Sequence, residues 1–271
     1  MTDTPTSDDP YDRIRTDQPH TARIWNYWLG GKDNYEVDQQ AGEQIRALHP
    51  GIGEYARADR QFLGRAVEYL VTDCGIRQFL DIGTGLPTAD NTHEVAQRLA
   101  PDSRVVYVDN DPIVLAHAEA LLYSTAQGRT AYLDEDLRNV DTILEQARET
   151  LDLSRPVALI LLGVVIFIED DEEAHGIVRR LMDALPSGSH LVLSHTITRP
   201  DLPDVDAAVA FWNEHGTPRL TQRTPDAVRR FFDGLDLLEP GVVSCNRWRP
   251  SDGGAEPAEE VAMFGGVARK P

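Results

Sequence analysis

The residues best suited to chemistry in this chain lie in two short stretches, around Asp81 and around Asp109. In the first, residues 78–88, an apolar run ends at Asp81 and is followed by Gly83 and Gly85, which predicts a strand, a glycine turn and a helix. Glycine adopts positive φ and leaves room for a ligand to touch the backbone. The second stretch is another buried-type strand with Asp109 at its carboxyl end. Ligands bind at the carboxyl ends of strands in an open parallel sheet, where a carboxylate can accept both hydroxyls of a ribose, so a nucleoside-type ligand is predicted.

The residues after the glycine turn distinguish between two classes of nucleoside-containing cofactor. In the dinucleotide fingerprint Gly-x-Gly-x-x-Gly a third glycine lets the helix pack closely, but this chain has Thr88 at that position. Asp90 lies in the predicted first helical turn, whereas a pyrophosphate favours a helix terminus free of acids. The pattern Asp-x-Gly-x-Gly, with an acid ending the next strand, instead resembles the class I S-adenosylmethionine-dependent methyltransferases. A NAD-dependent oxidoreductase is the alternative.

Alternating strand and helix patterns surround these stretches and must position them. Apolar runs predict five strands, at residues 78–82, 104–109, 130–133, 157–165 and 190–196. Helical patterns separate them, which is typical of a doubly wound, parallel α/β sheet. Two later strands, at 242–248 and 261–269, are joined by a loop rich in Gly, Pro and acids at 250–260. They predict an antiparallel hairpin at the sheet edge.

The chain before the first strand divides into two parts. Residues 1–18 are polar and contain proline, so we expect a disordered tail. Residues 19–75 carry helical stripes and are expected to form a helical cap ahead of a ligand-binding domain at 76–271.

One loop of this cap has two interpretations. Tyr27 falls at helical spacing with its apolar neighbours, and Gly31 follows where a left-handed cap can stop the helix. The next residues, including Lys32, Asn34 and Tyr35, put polar groups on a loop backed by aromatic side chains. The loop is either functional or merely the end of a helix that pins its aromatic residues onto the core.

Composition excludes several classes of protein. The formal net charge of −19 argues against a nucleic-acid partner, which requires basic patches. The two cysteines imply no disulfide framework. The longest apolar run, residues 157–168, is too short to cross a bilayer, and the acidic first residues lack the apolar core of a secretory signal. We therefore expect a cytoplasmic protein with no membrane partner.

Beyond its class, the chain resembles one bacterial family. The segments Leu-Gly-Gly-Lys-Asp-Asn-Tyr, Phe-Leu-Asp-Ile-Gly-Thr-Gly-Leu-Pro-Thr, Tyr-Val-Asp-Asn-Asp-Pro and Asp-Leu-Arg are similar to those of the S-adenosyl methyltransferase family, long known only as a domain of unknown function. The resemblance runs from about Arg23 to Lys270. It implies a Rossmann-like class I methyltransferase fold with a seven-stranded sheet, and S-adenosylmethionine as cofactor. It supplies no acceptor.

The resemblance also assigns roles by position. The first motif would lie against the methionine and ribose, Asp109 would bind the ribose hydroxyls, and the next two strand ends would approach the adenine. These cofactor-binding candidates are Asp81, Gly83, Thr84, Gly85, Asp109, Asn110, Asp136 and Leu137. Asp136 could instead cap a helix. Relatives often have His where Ile166 stands and Asn where Asp59 stands, and the first departure removes a possible acid–base group.

Methyl transfer asks the protein mainly to hold the acceptor close to the methyl donor. A general base helps when the acceptor is a hydroxyl or an ammonium, and His195, at the end of the fifth strand, is the candidate base, unless it is bonded to a neighbouring loop. Phe167 and the cap residues Tyr27, Trp28 and Tyr35 could line an apolar acceptor pocket or belong to the core. No metal site is expected, because His190 and His195 point to opposite faces of one strand.

The sequence therefore predicts an S-adenosylmethionine-dependent methyltransferase acting on a small molecule. A protein of the same fold that binds the cofactor without transferring its methyl group is the second hypothesis.

Overall fold

The computed structural model describes residues 15–87, 90–121, 124–250 and 259–271. Most of the predicted tail, most of the loop at 250–260, and Thr88 lie outside these residues. Within them, none of the helices combines the length and apolar character needed to cross a membrane.

The centre of the fold is one mixed sheet of eight strands. The strands are β1 (Gln78–Ile82), β2 (Arg104–Asp109), β3 (Arg129–Asp134), β4 (Ala158–Leu162), β5 (His190–Thr196), β6 (Asp236–Leu237), β7 (Val243–Ser244) and β8 (Met263–Arg269). Their order is β3-β2-β1-β4-β5-β8-β6, with β7 also paired to β8. The first five strands are parallel, and β8 runs antiparallel to β5, β6 and β7. The predicted mostly parallel, doubly wound sheet with an antiparallel edge is confirmed.

Helices connect and cover these strands. They are α1 (Thr21–Trp28), α2 (Glu36–Leu48), α3 (Ile52–Thr72), α4 (Thr92–Leu99), α5 (Pro112–Leu121), α6 (Val140–Ala147), α7 (Asp171–Asp183), α8 (Pro203–His215) and α9 (Pro225–Arg229). Every residue of β1 and β5 is buried, as expected when both faces of a parallel sheet are covered.

Two strand predictions differ from the structure by more than one residue at their carboxyl ends. Predicted to continue to residue 165, β4 ends at Leu162, because Gly163 adopts a φ of +58° and a short 3₁₀ helix, Val165–Phe167, follows. Predicted to continue to residue 248, β7 is two residues long and passes into a 3₁₀ turn at Cys245–Arg247. The extra strand β6 is also two residues long, too short to leave an apolar pattern.

The helices before β1 share the core of the sheet. Phe62, Ala66 and Leu70 of α3 are fully buried, and Ile24 of α1 belongs to the same apolar cluster. A boundary near residue 75 stays a prediction, since this cluster runs across it.

Candidate functional site

A cavity of about 520 Å³ lies at the carboxyl ends of the parallel strands, within the range of roughly 300–1,000 Å³ that is typical of small-molecule sites. It is centred where the winding of the sheet reverses, between β1 and β4, as expected for a doubly wound fold. Trp25 of α1 forms part of its wall. The predicted residues in its lining are Gly83, Thr84, Gly85, Asp109, Asn110, Asp136, Leu137 and Phe167.

The glycine turn after β1 forms one wall of the cavity with bare backbone. Gly83 has a φ of +76° and Gly85 a φ of +64°, conformations that favour glycine. The Gly83 amide donates to the Val108 carbonyl at 2.7 Å, which ties the turn to β2. A Cβ on Gly83 would lie 2.4 Å from the Val164 side chain, whereas a Cβ on Gly85 would meet no protein atom within 4 Å. The space in front of Gly85 is therefore open to a ligand.

Asp109 is held rigidly at the end of β2. Its Oδ2 accepts the Gly85 amide at 2.8 Å and its Oδ1 accepts the Asp111 amide at 3.0 Å. Burial raises the pKa of Asp109 to about 6, and these backbone hydrogen bonds oppose that rise. A carboxylate offers about four acceptor positions, so a lone pair on each oxygen can still accept a ligand hydroxyl.

Asp81 is placed differently from Asp109. It lies outside the lining of the large cavity and accepts the Thr92 hydroxyl at 2.6 Å. Burial raises the pKa of Asp81 to about 6. The contact that the structure shows for this carboxyl therefore joins β1 to the start of α4.

The amino terminus of α4 is occupied by its own side chains. The prediction that Asp90 lies in the first helical turn is wrong, because α4 begins at Thr92 and Asp90 precedes it with a φ of +58°. The first-turn acid is Glu94, whose carboxylate accepts the Asn91 amide at 2.8 Å in a capping box. An acid already satisfies this terminus, so a pyrophosphate group gains little there.

Asp136 and Asn110 form a polar edge at the ends of β2 and β3. Asn110 Nδ2 donates to Asp136 Oδ2 at 3.1 Å, and the Arg138 amide donates to Asp136 Oδ1 at 2.8 Å. Asp136 does not cap α6, because Asn139 is the N-cap residue of that helix. Beside this edge, Leu137 adds a buried apolar surface. Such a combination suits a flat heterocycle with polar edges.

The predicted cap loop lies behind the cavity. Tyr27, Gly31, Lys32, Asn34 and Tyr35 do not line it, and the Tyr27 hydroxyl donates to Glu43 at 2.6 Å. The Lys32 and Tyr35 side chains are exposed.

What this loop contacts instead is Asn26, which does line the cavity. Asn26 Oδ1 accepts from the Asp33 amide at 3.0 Å and from Asn34 Nδ2 at 2.9 Å. A Cβ on Gly31 would lie 2.4 Å from the Asn26 amide group. The loop therefore fixes the orientation of Asn26.

The structure buries the predicted base, His195, outside the cavity lining. Its Nε2 lies 2.8 Å from Arg223 Nη1 and its Nδ1 lies 2.8 Å from the Thr196 carbonyl. Arg223 only donates, so Nε2 accepts and Nδ1 carries the hydrogen. Burial, with Arg223 adding to it, lowers the pKa of His195 to about 3. Both ring nitrogens therefore have hydrogen-bond partners. This agrees with the alternative interpretation, in which His195 is bonded to a neighbouring loop.

Two charged residues of α3, Asp59 and Arg60, also line the cavity, although the sequence had assigned neither of them to the site. Arg60 donates to the Asn91 side chain at 2.8 Å. Asp59 is buried, and burial raises its pKa to about 6. The sequence feature that could have indicated them is an acid and a base within the apolar stripe of α3.

We expect Asp59→Asn to stabilise the protein at neutral pH. An acid whose pKa is raised by folding contributes stability below its unfolded pKa of 3.8, and that contribution is lost as pH rises through about 6. The variant lacks this loss, so its gain in unfolding free energy over wild type should be larger at pH 7 than at pH 5, by about 1 kcal/mol. Urea denaturation at both pH values measures this. Asp233→Asn, at an exposed acid, is the control, and equal pH dependence in all three proteins contradicts the prediction.

Known proteins are similar to this chain in sequence and in structure. A family model described as S-adenosyl methyltransferase matches residues 7–271. The chain is similar to the structure of a DUF574 family protein from Streptomyces avermitilis, with 45% identity and a TM-score of 0.90, covering 94% of this chain and 99% of that one. It is also similar to a candidate methyltransferase from Thermobifida fusca, with 37% identity and a TM-score of 0.87, covering 94% and 97%.

A curated relative was also found. It is a carboxy-S-adenosyl-L-methionine synthase from Chromohalobacter salexigens, 27% identical over 202 residues, which are 71% of this chain and 66% of that protein. The match therefore spans slightly less than two thirds of the relative's length.

Proposed function

Because this chain belongs to the S-adenosyl methyltransferase family, its cofactor is S-adenosylmethionine, and we propose that it transfers the methyl group to a small-molecule acceptor. The observation that carries this proposal is the cavity itself, where the glycine turn and the Asp109 carboxylate meet at the switch point of the sheet. When bound, the cofactor supplies a methyl group activated by a positively charged sulfur.

The residues of the cavity fit this cofactor. In the proposed arrangement Asp109 accepts the ribose hydroxyls, Asn110 and Asp136 face the edge of the adenine, and Leu137 packs on its ring. The open space at Gly85 admits the cofactor against the backbone. Among the described residues the cavity lining has four acids, including Asp59 and Glu135, against two arginines, Arg60 and Arg138. This acidic balance favours a ligand carrying an ammonium and a sulfonium group.

The same observations argue against a dinucleotide. Two arginines do line the cavity, but the α4 terminus, where a pyrophosphate would bind, is already capped by Glu94. The capped helix terminus is thus a second argument for S-adenosylmethionine over NAD, in addition to the missing third glycine.

A small-molecule acceptor is supported by enclosure and by charge. The cavity of about 520 Å³, with Trp25 in its wall, has the size of a small-molecule site, and the net charge of −19 disfavours a nucleic acid. We also propose a cytoplasmic location, which the two free cysteines, Cys74 and Cys245, support.

Calorimetric titration with S-adenosylmethionine, with NADH as the matched control, tests the cofactor assignment. We expect binding of the first ligand and no heat from the second. Incubation with methyl-labelled cofactor and a heat-inactivated cell extract then separates transfer from binding alone. Transfer of label to a small molecule supports the proposal, whereas label only in macromolecules, or cofactor binding without any transfer, contradicts it.

A further inference from the structure

A second, smaller cavity of about 70 Å³ adjoins the cofactor cavity. The two cavities share four lining residues, Thr21, Trp25, Gly163 and Phe167. Gly163 directly follows β4, so the second cavity begins where the cofactor cavity meets the end of that strand. An acceptor bound there would be adjacent to the cofactor. We call this second cavity the acceptor pocket.

The walls of the acceptor pocket are mostly apolar, with several aromatic side chains among aliphatic ones. Trp28, Trp212 and Met263 contribute to them. The indole N–H groups of Trp28 and Trp212 donate to the backbone carbonyls of Gly42 and Pro218, and thus present carbon surface to a ligand. The Tyr55 hydroxyl is likewise engaged with the Thr196 hydroxyl. Such walls suit a small apolar ring. Because the pocket alone is smaller than the usual small-molecule site, a bound acceptor would extend past Trp25 and Phe167 into the cofactor cavity.

A buried polar atom of this pocket has no hydrogen-bond partner in the described part of the chain. His49 lines the pocket, and its side chain is only 12% exposed. Its Nδ1 contacts the Asp204 carboxylate, while its Nε2 is buried without a hydrogen-bond partner among the described residues. An orphaned buried polar atom is costly, which points to a ligand group that completes it.

The Asp204 contact decides which proton His49 carries. A carboxylate only accepts, so the hydrogen of the neutral ring is on Nδ1 and the lone pair is on Nε2. The carboxylate also stabilises the ring after it gains a proton, as in other oriented imidazole bases. Asp204 and Tyr55 are the titratable groups against the ring among the described residues.

We propose that the acceptor pocket binds a small phenol-like molecule and that His49 Nε2 removes the proton of its hydroxyl group. This inference rests on the proposed function. As the hydroxyl oxygen bonds to the methyl carbon, its proton passes to Nε2, and the electron pair of the broken sulfur–methyl bond stays on sulfur as a neutral thioether. The protonated ring then returns the proton to water. His49 is the catalytic residue, and Asp204 is a positioning residue.

The test uses 4-nitrophenol, whose phenolate is yellow, and nitrobenzene, which lacks the hydroxyl. Quenching of tryptophan fluorescence in the cofactor-free protein measures binding, and visible absorbance measures ionisation of the bound probe. We expect wild type to bind 4-nitrophenol with an increased phenolate fraction. His49→Gln should lose that increase and bind about tenfold more weakly, Asp204→Asn should lose most of the increase, and both should bind nitrobenzene like wild type. His215→Gln, at an exposed histidine of α8, should behave as wild type.

Methyl transfer to phenol from labelled cofactor provides the second measurement, and it should fall about a hundredfold in His49→Gln. Absence of 4-nitrophenol binding, or the same phenolate fraction in His49→Gln as in wild type, overturns the inference. Calorimetry of the same variants with S-adenosylmethionine tells this failure from that of the proposed function. If the protein binds the cofactor normally but binds neither probe, only the acceptor-pocket inference is wrong. If it binds the probes but not the cofactor, the proposed function is wrong.

Discussion

Asp109→Ala should weaken S-adenosylmethionine binding by about a hundredfold or more, because hydrogen bonds to a charged group contribute roughly 1.5–3 kcal/mol each and about 1.4 kcal/mol is a tenfold change in affinity. The variant has no carboxylate to accept hydrogen bonds from the two ribose hydroxyls. It would also release the Gly85 and Asp111 amides that it now holds, which loosens the turn beneath the cofactor. Calorimetric titration measures the dissociation constant.

A matched control is available on the next strand. Asp134 pairs in register with Asp109, is exposed, and does not line the cavity. Asp134→Ala removes the same formal charge from the same edge of the sheet, so its affinity should stay close to wild type. Equal losses in the two variants would attribute the effect to net charge, and unchanged binding by Asp109→Ala would contradict the ribose contact. Thermal unfolding of both variants checks that each is folded.

The parts of this site that could be predicted are those encoded locally. Strands β1, β2 and β5 begin and end as predicted, because each contains a short apolar run, at residues 79–80, 105–108 and 191–193, with polar residues on both sides. Gly83, Gly85 and Asp109 follow directly from those strand ends, and a parallel sheet brings them together without further information.

The rest depends on contacts between distant segments. His49 and Asp204 are 155 residues apart, and neither lies in a motif, so only the packing of α8 beside the end of α2 brings them together. In the sequence Asp59 is an ordinary helix residue, and only the packing of α3 in the folded protein places it in the cavity lining. The partner of the candidate base His195 also comes from a distant segment, because Arg223 donates a hydrogen bond to its Nε2.

Gly83→Ala should lower the free energy of unfolding by about 2–5 kcal/mol. The left-handed conformation costs a residue with a Cβ about 1–2 kcal/mol, and overpacking typically adds about 1–3 kcal/mol. Here the added methyl would lie 2.4 Å from the Val164 side chain. Urea denaturation of the variant and wild type gives the difference.

Two other glycines separate these contributions. Gly75 has a φ of +69° and Gly85 a φ of +64°, with no atom within 4 Å of an added Cβ at either position, so both alanine variants should show only the conformational cost of about 1–2 kcal/mol. Gly85 lines the cofactor cavity and Gly75 does not, so Gly85→Ala alone of these two should also weaken cofactor binding. A Gly83→Ala loss no larger than that of Gly75→Ala would show that Val164 moves aside freely.

That comparison bears on function because Gly83 and Val164 follow neighbouring strands, β1 and β4, and both line the cavity. A methyl group between them must push two strand ends apart at the switch point of the sheet. Gly83→Ala should therefore lose cofactor affinity together with stability, whereas Gly85→Ala should lose affinity with little further loss of stability than Gly75→Ala. If Gly83→Ala binds S-adenosylmethionine as tightly as wild type despite its lower stability, the close approach of these strand ends serves the fold and not the cofactor site.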